Sequence, residues 1–292
     1  MKRIISLGLT VLMLAAIALG CVSCGSDVEL NFGKECVAVA TQLDALNGLK
    51  KGDADLAVID SVMAGYYMKS GNFNDYQTLK FVLATEEYGI AAKKGNEALM
   101  SKINEAMIAL ADSEYKTIAE KYGLTSETLV TKDTANPYAN ATDGSFDAVK
   151  TSKKLVIGYT LFAPIAYNDE NNALVGFDVD LARAVVRYIN TTYNTEIEVE
   201  FTVIDWNNKE TLLQNGTIDL AWNGMTITPE RSSAMTISVP YLRNQQAVVC
   251  KKTDASKYES ADLREFERKV VDAIVIVESG SAGEELVKKT EN

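Results

Sequence analysis

Ile218-Asp-Leu-Ala-Trp222-Asn-Gly224-Met-Thr-Ile-Thr228-Pro-Glu-Arg231 reads as a strand, a glycine turn and the start of a helix. The run 218–222 is short and apolar, the form of a strand buried on both faces. Thr228 is a helix-capping residue type, and Pro229 suits the first turn, where its missing N–H costs nothing. The same punctuation occurs earlier in the chain. Leu49-Lys-Lys-Gly52-Asp-Ala-Asp55-Leu56-Ala57 echoes Leu213-Gln-Asn-Gly216-Thr-Ile-Asp219-Leu220-Ala221. In each copy a helix closes at Gly, which takes the left-handed cap conformation. A buried strand then follows, ending at Asp60 in one copy and at Gly224 in the other. Two similar halves each present the C-terminal end of a strand, and in open α/β sheets ligands bind at such ends.

Other segments extend the pattern. Leu155-Val-Ile157, Leu56-Ala-Val-Ile59 and Ala273-Ile-Val-Ile-Val277 are further buried strands, while Ile197, Val199, Phe201 and Val203 alternate with polar residues as in a half-buried one. Leu181, Val185 and Val186 share a helix face, as do Leu43, Leu46 and Leu49, and Met100, Ile103 and Met107. Alternating strands and helices define an α/β protein. Thr131 to Phe146 carries turn residues and no apolar periodicity, which reads as a linker.

The 292 residues suggest about two domains. With 29 Lys+Arg against 40 Asp+Glu the net charge is −11, which argues against nucleic acid as a partner. The absence of His removes Ser-His-Asp and Cys-His catalysis and every His-containing metal site. Lys2 and Arg3 precede the uncharged run 4–20, and small residues precede Cys21 and Cys24. This looks like a bacterial lipoprotein signal, with Cys21 or Cys24 lipidated. Cys36 and Cys250 lie in apolar, β-branched runs and read as small buried hydrophobes.

Several residues carry candidate chemistry. The 223–231 stretch offers loop N–H groups, the Thr226 hydroxyl and the planar fork of Arg231 for a carboxylate, or it is a capped surface helix with a solvated Arg. Ser279-Gly-Ser281-Ala282-Gly-Glu284 combines a capping box with a helix start that favours an anion. Asp60 closes an apolar strand, so it faces a cleft or caps the helix 61–68. Phe162 and Trp206 follow strands, and either flank a small ligand or fill the core.

Leu155-Val-Ile-Gly-Tyr159, Phe162-Ala-Pro164, Gly176-Phe-Asp-Val-Asp180-Leu-Ala, Asp205-Trp206, 223–231 and Gly280-Ser281 together resemble the family 3 solute-binding proteins, extracellular receptors of polar amino-acid ABC importers. Asp55–Asp60 and Tyr88-Gly-Ile-Ala-Ala-Lys93 resemble the later part of that family, so the order here is rotated. The resemblance implies a two-lobed, type II periplasmic-binding-protein-like α/β fold in circularly permuted order. Its parts are a signal peptide 1–20, a tether 21–27, one lobe from 28–85 plus 247–292, and another from 86–130 plus 151–246. Residues 131–150 join the family's usual termini. Hinge crossings fall near Asn244–Ala247 and Ala84–Glu87.

The resemblance further implies that Arg231, Thr226 and the N–H groups near Ser281 and Ala282 hold a ligand α-carboxylate and that Asp60 holds the α-ammonium. Phe162 and Trp206 flank the ligand, with Asn223, Gly224 and Met225 beside it. Tyr159 and Thr160 stand where receptors for basic amino acids often place an acid, which favours a neutral side chain. A monomer without a cofactor, delivering to a membrane permease, follows from the family. Alternatives on the same fold are a cyclohexadienyl or arogenate dehydratase with Glu278 or Asp205 as acid, a sensory module, and a non-binding relic.

Overall fold

The computed structural model describes residues 30–69 and 71–288. The expected signal, the tether and the candidate lipidation sites Cys21 and Cys24 lie outside them. The strands are β1 (Glu35–Val39), β2 (Leu56–Asp60), β3 (Tyr76–Lys93), β4 (Lys154–Tyr159), β5 (Tyr167–Asn168), β6 (Leu174–Val175), β7 (Glu198–Val203), β8 (Leu220–Thr226), β9 (Met235–Ile237), β10 (Leu242–Lys251) and β11 (Ile274–Glu278). The main sheet runs β1-β11-β2-β10-β3-β8-β4-β7, with β9 also on β3, while β5 and β6 form a separate hairpin.

This order is a palindrome in construction. At one end β1 and β2 flank β11 in parallel, and at the other β7 and β8 flank β4 in parallel. The long strands β3 and β10 run antiparallel between the halves. Their pairing slips at Gln246/Ala247, opposite Ala84 and Val82, so a bulge lies on the expected crossings. The echoed sequences occupy matching places. Gly52 and Gly216 both take positive φ, at 90° and 76°. Asp55 Oδ2 accepts from Ile274 N at 2.9 Å, and Asp219 Oδ2 accepts from Val156 N at 2.8 Å. Each aspartate thereby ties the start of its own strand to the strand beside it.

Strand alternation sorts the cores. Leu56, Val58, Val275 and Val277 pack on one face of the β1 half, and Ala57, Ile59 and Ile276 on the other. In the β7 half, Leu155, Ile157, Leu220 and Trp222 face helices 97–110 and 177–193, while Ala221 and Met225 face the opposite layer. The β1 half is assembled from both ends of the chain. Phe32 meets Phe266 edge to face at 5.2 Å, Phe81 stacks on the same ring at 5.5 Å, and Leu30 bridges Lys288.

Some expectations change. The segment 131–150 is not a bare linker, because Ser145–Ser152 is a helix whose Phe146 and Val149 are buried. Helix 97–110 has no cap from its own Asn96. Asp143 Oδ2 and Ser145 Oγ accept instead from Ala98 N and Leu99 N, at 2.7 and 2.9 Å. A cap supplied from a distant part of the chain leaves no local sequence signature. Val203, expected on the apolar face of its strand, is 64% exposed because β7 is a sheet edge and ends there. Cys250 is buried and Cys36 half-buried, and burial pushes both thiols up to about 11. Among the described residues no helix is long and apolar enough to cross a membrane.

Candidate functional site

The C-terminal ends of β2, β4, β8 and β11 converge on a cavity lined by Asp60, Thr160, Phe162, Trp206, Asn223, Gly224, Thr226, Arg231, Glu278, Ser281 and Ala282, with Gln42 and Gln246. The free space is about 10 Å³, room for about one water molecule, so the halves must part to admit anything larger. A larger recess of about 460 Å³ lies between the helices 61–69 and 114–122, lined by Tyr66, Lys69, Tyr122, Glu127 and Pro164 among others.

One wall is cationic. Thr228 caps the helix Pro229–Ala234 through Arg231 N at 3.2 Å, as its sequence predicts. The Arg231 side chain is buried rather than solvated. It donates to Thr226 O at 3.0 Å, Gly280 O at 3.2 Å and Glu285 Oε1 at 2.7 Å, so it spans the two halves. Lys209 lies beside it, donating to Gly280 O at 3.0 Å. Burial, with Arg231 adding repulsion, brings the Lys209 ammonium down to about 8.

The opposite wall is acidic. Asp60 does not cap the following helix. Its carboxylate accepts from the amides of Gln42, Asn244 and Gln246, the last at 2.6 Å. Asn244 and Gln246 also reach Glu86 Oε1, at 2.6 and 2.8 Å. Burial first, and then Glu86, holds the Asp60 carboxyl well above the usual range. Glu278 is 4% exposed, its Oε1 without a partner, and burial pushes it up to about 8.

The remaining candidates divide. Phe162 and Trp206 line the cavity and are also buried. Asn223 pairs with Thr160 Oγ1 at 2.9 Å. Gly224 sits at φ 62°, its N–H given to Asp178 Oδ2 at 2.9 Å, and a Cβ there would lie 2.7 Å from Phe162 Cε1. Ser281 caps the helix Ala282–Val287 through Glu284 N, which realises the capping reading. Met225 is not among the residues lining the cavity; it is buried in the layer with Leu213, Ile218 and Ile237. Gln42, Gln246, Lys209 and Glu285 were not expected from sequence, and Thr160 entered only as the neutral residue at the first loop. Only the placement of Gln246 on a predicted hinge crossing offered a signal.

The cavity thus brings together the Arg231 guanidinium, the Asp60 and Glu278 carboxyls and the rings of Phe162 and Trp206. Residues 155–289 match bacterial extracellular solute-binding proteins, family 3. That segment is similar to the family, and the mixed α/β sheet, with a parallel set of strands at each end, is the architecture expected of a type II periplasmic-binding fold. It is 34% identical to the arginine-binding extracellular protein ArtP of Bacillus subtilis over 113 residues, covering 38% of this chain and 41% of the relative. It is 32% identical to the ABC transporter arginine-binding protein 1 of Escherichia coli over 126 residues, covering 43% and 47%. A solved polar amino-acid ABC uptake transporter substrate-binding protein from Streptococcus thermophilus is 39% identical, covering 34% of this chain and 36% of that one, with TM-score 0.28. The chain thus spans less than half the length of these relatives.

Proposed function

We propose that the protein is an amino-acid receptor of an ABC importer, tethered to the membrane through Cys21 or Cys24. It closes on a free amino acid between the lobes 28–85 plus 247–292 and 86–130 plus 151–246, in circularly permuted order. The observation that carries this reading is the pair of buried charges, Arg231 from one half and Asp60 from the other, facing one cavity flanked by Phe162 and Trp206. Arg231 takes the α-carboxylate, joined by the Thr226 and Ser281 hydroxyls. Asp60 takes the α-ammonium while the amides of Gln42, Asn244 and Gln246 hold its carboxylate in place. Each charged hydrogen bond contributes about 1.5–3 kcal/mol. Opening is a hinge motion at the β3–β10 bulge, where ladder pairing is already interrupted. The permuted order is supported by the palindrome: β11 has the place in its half that β4 has in the other, yet comes last in the chain. The names of the relatives favour a basic ligand side chain over the neutral one expected from Tyr159 and Thr160.

The test is tryptophan fluorescence of the full chain titrated with the twenty amino acids, beside Arg231→Ala. A saturable response to one or a few, lost in the variant, supports the receptor. No response from protein with a cooperative thermal transition refutes it. The dehydratase alternative draws on the buried Glu278 carboxyl, whose hold on its proton burial strengthens. Product formation from prephenate or arogenate tests it.

A further inference from the structure

We infer that Glu278 receives a cationic group on the ligand side chain, making the site selective for basic amino acids. This rests on the receptor reading and adds the residue that sets its specificity.

The argument starts from charge. The backbone of an amino acid carries one positive and one negative group, which Asp60 and Arg231 satisfy. Among the described residues lining the cavity, Glu278 is then the carboxylate left over. It is 4% exposed and its Oε1 has no partner. The charged groups around it are Lys209, Asp44, Arg231 and Asp60, with the Gln42 amide as neighbour. Neither nearby cation closes an ion pair on it. Lys209 Nζ is turned to Gly280 O, and Arg231 to Thr226 O, Gly280 O and Glu285. A buried carboxyl without a full set of partners is costly, and nothing in the fold requires one here. The rest of β11 is Ile-Val-Ile-Val, and these four residues pack in the two apolar clusters of this half without the terminal acid.

Register gives the position meaning. Val275 and Ile276 pair with Leu56 and Ala57 as Ile157 and Gly158 pair with Leu220 and Ala221. Glu278 therefore corresponds to Thr160 in the other half, and both line the cavity. The expectation of a neutral ligand looked only at the β4 side, where Thr160 is uncharged. The acid stands at the equivalent place across the cleft. Trp206, on the same cavity, offers a ring face, and Lys209 Nζ already lies 5.3 Å from its centroid, so this ring accommodates a cation.

The experiment compares L-arginine with L-citrulline, which has nearly the same shape and no side-chain charge, by fluorescence titration of the full chain and of Glu278→Gln. The wild type is expected to prefer arginine at least about tenfold, and Glu278→Gln to lose about tenfold in arginine affinity while citrulline changes less than about threefold. Glu278→Asp, which keeps the charge one methylene further back, should retain a reduced preference and guards against a misfolded Gln variant. Equal binding of both ligands by the wild type overturns the inference, as does a preference that survives Glu278→Gln. Arg231-dependent binding of neutral amino acids without charge preference overturns this inference alone. Binding of none overturns the receptor reading as well.

Discussion

Replacing Glu285 by Gln should tighten amino-acid binding, although Glu285 lies at the site. Arg231 Nη2 is 2.7 Å from Glu285 Oε1, on the first helix after β11. A ligand carboxylate that takes the guanidinium fork displaces this internal carboxylate. The size of the competition follows from exposure: the Arg231 side chain is 4% exposed, but that of Glu285 is 45%. The pair is half in water, worth about 0.5–1.5 kcal/mol, between a surface pair and a charged hydrogen bond. The guanidinium keeps Thr226 O and Gly280 O in either case. Removing the competitor therefore improves affinity about two- to tenfold. The assay is Trp206 fluorescence titrated with L-arginine, with Arg231→Ala as the control that loses binding by tens-fold or more, as expected for an ion pair of this kind. Binding by Glu285→Gln that is unchanged or weaker refutes the displacement, since Glu285 then does not compete for the fork.

Phe266→Ala should cost about 3–5 kcal/mol in urea unfolding, because the ring is fully buried against Phe32 and Phe81. Combined with Phe32→Leu the effects should fall short of additive by about 0.5–1.5 kcal/mol, and strict additivity would contradict the contact between the chain ends. Stability should fall as pH rises. Burial holds Asp178 up to about 7 and Glu278 to about 8, so both carry protons in the folded state that the unfolded chain releases near pH 4. Their contribution is whole below pH 4 and lost through pH 7–8. Thermal midpoints of wild type and Asp178→Asn should therefore converge or cross toward neutral pH, and parallel curves would contradict the assignment. Gly224→Ala places a Cβ 2.7 Å from Phe162 at φ 62°. It should destabilise by about 1–3 kcal/mol and weaken ligand binding, and an unaffected thermal midpoint would show that the turn relaxes freely.

What the sequence made legible was whatever is local. Gly52 and Gly216 mark helix ends by themselves, and the apolar runs at 56–59 and 155–157 mark strands, so the paired halves follow from short windows. Arg231, Asp60, Phe162 and Trp206 were reachable because each sits at a strand or helix end with a motif around it. The site's other members have no such window. Gln42 and Gln246 matter because β1, β2 and β10 bring them to one carboxylate from opposite ends of the chain. Lys209 looks like any helix-start lysine until Trp206 and Gly280 cover it. Met225 differs again: it belongs to the same contiguous motif as Asn223, Gly224 and Thr226, yet its side chain packs in the neighbouring core layer, which a motif alone does not reveal.

The placement of β11 between β1 and β2 also sets an order of events in synthesis. Glu35 pairs with Ile274, more than two hundred residues later, so β1 and β2 remain apart until β11 has been made. Until then β2, apolar along Leu56–Ile59, has no partner on that edge and is open to pairing with other chains. Joining contacts so distant is slow, since the loop entropy precedes the reward. The half containing β4 and β8 draws its strands from a shorter span and completes first. Keeping β2 covered until Glu278 has emerged therefore favours the yield of folded protein.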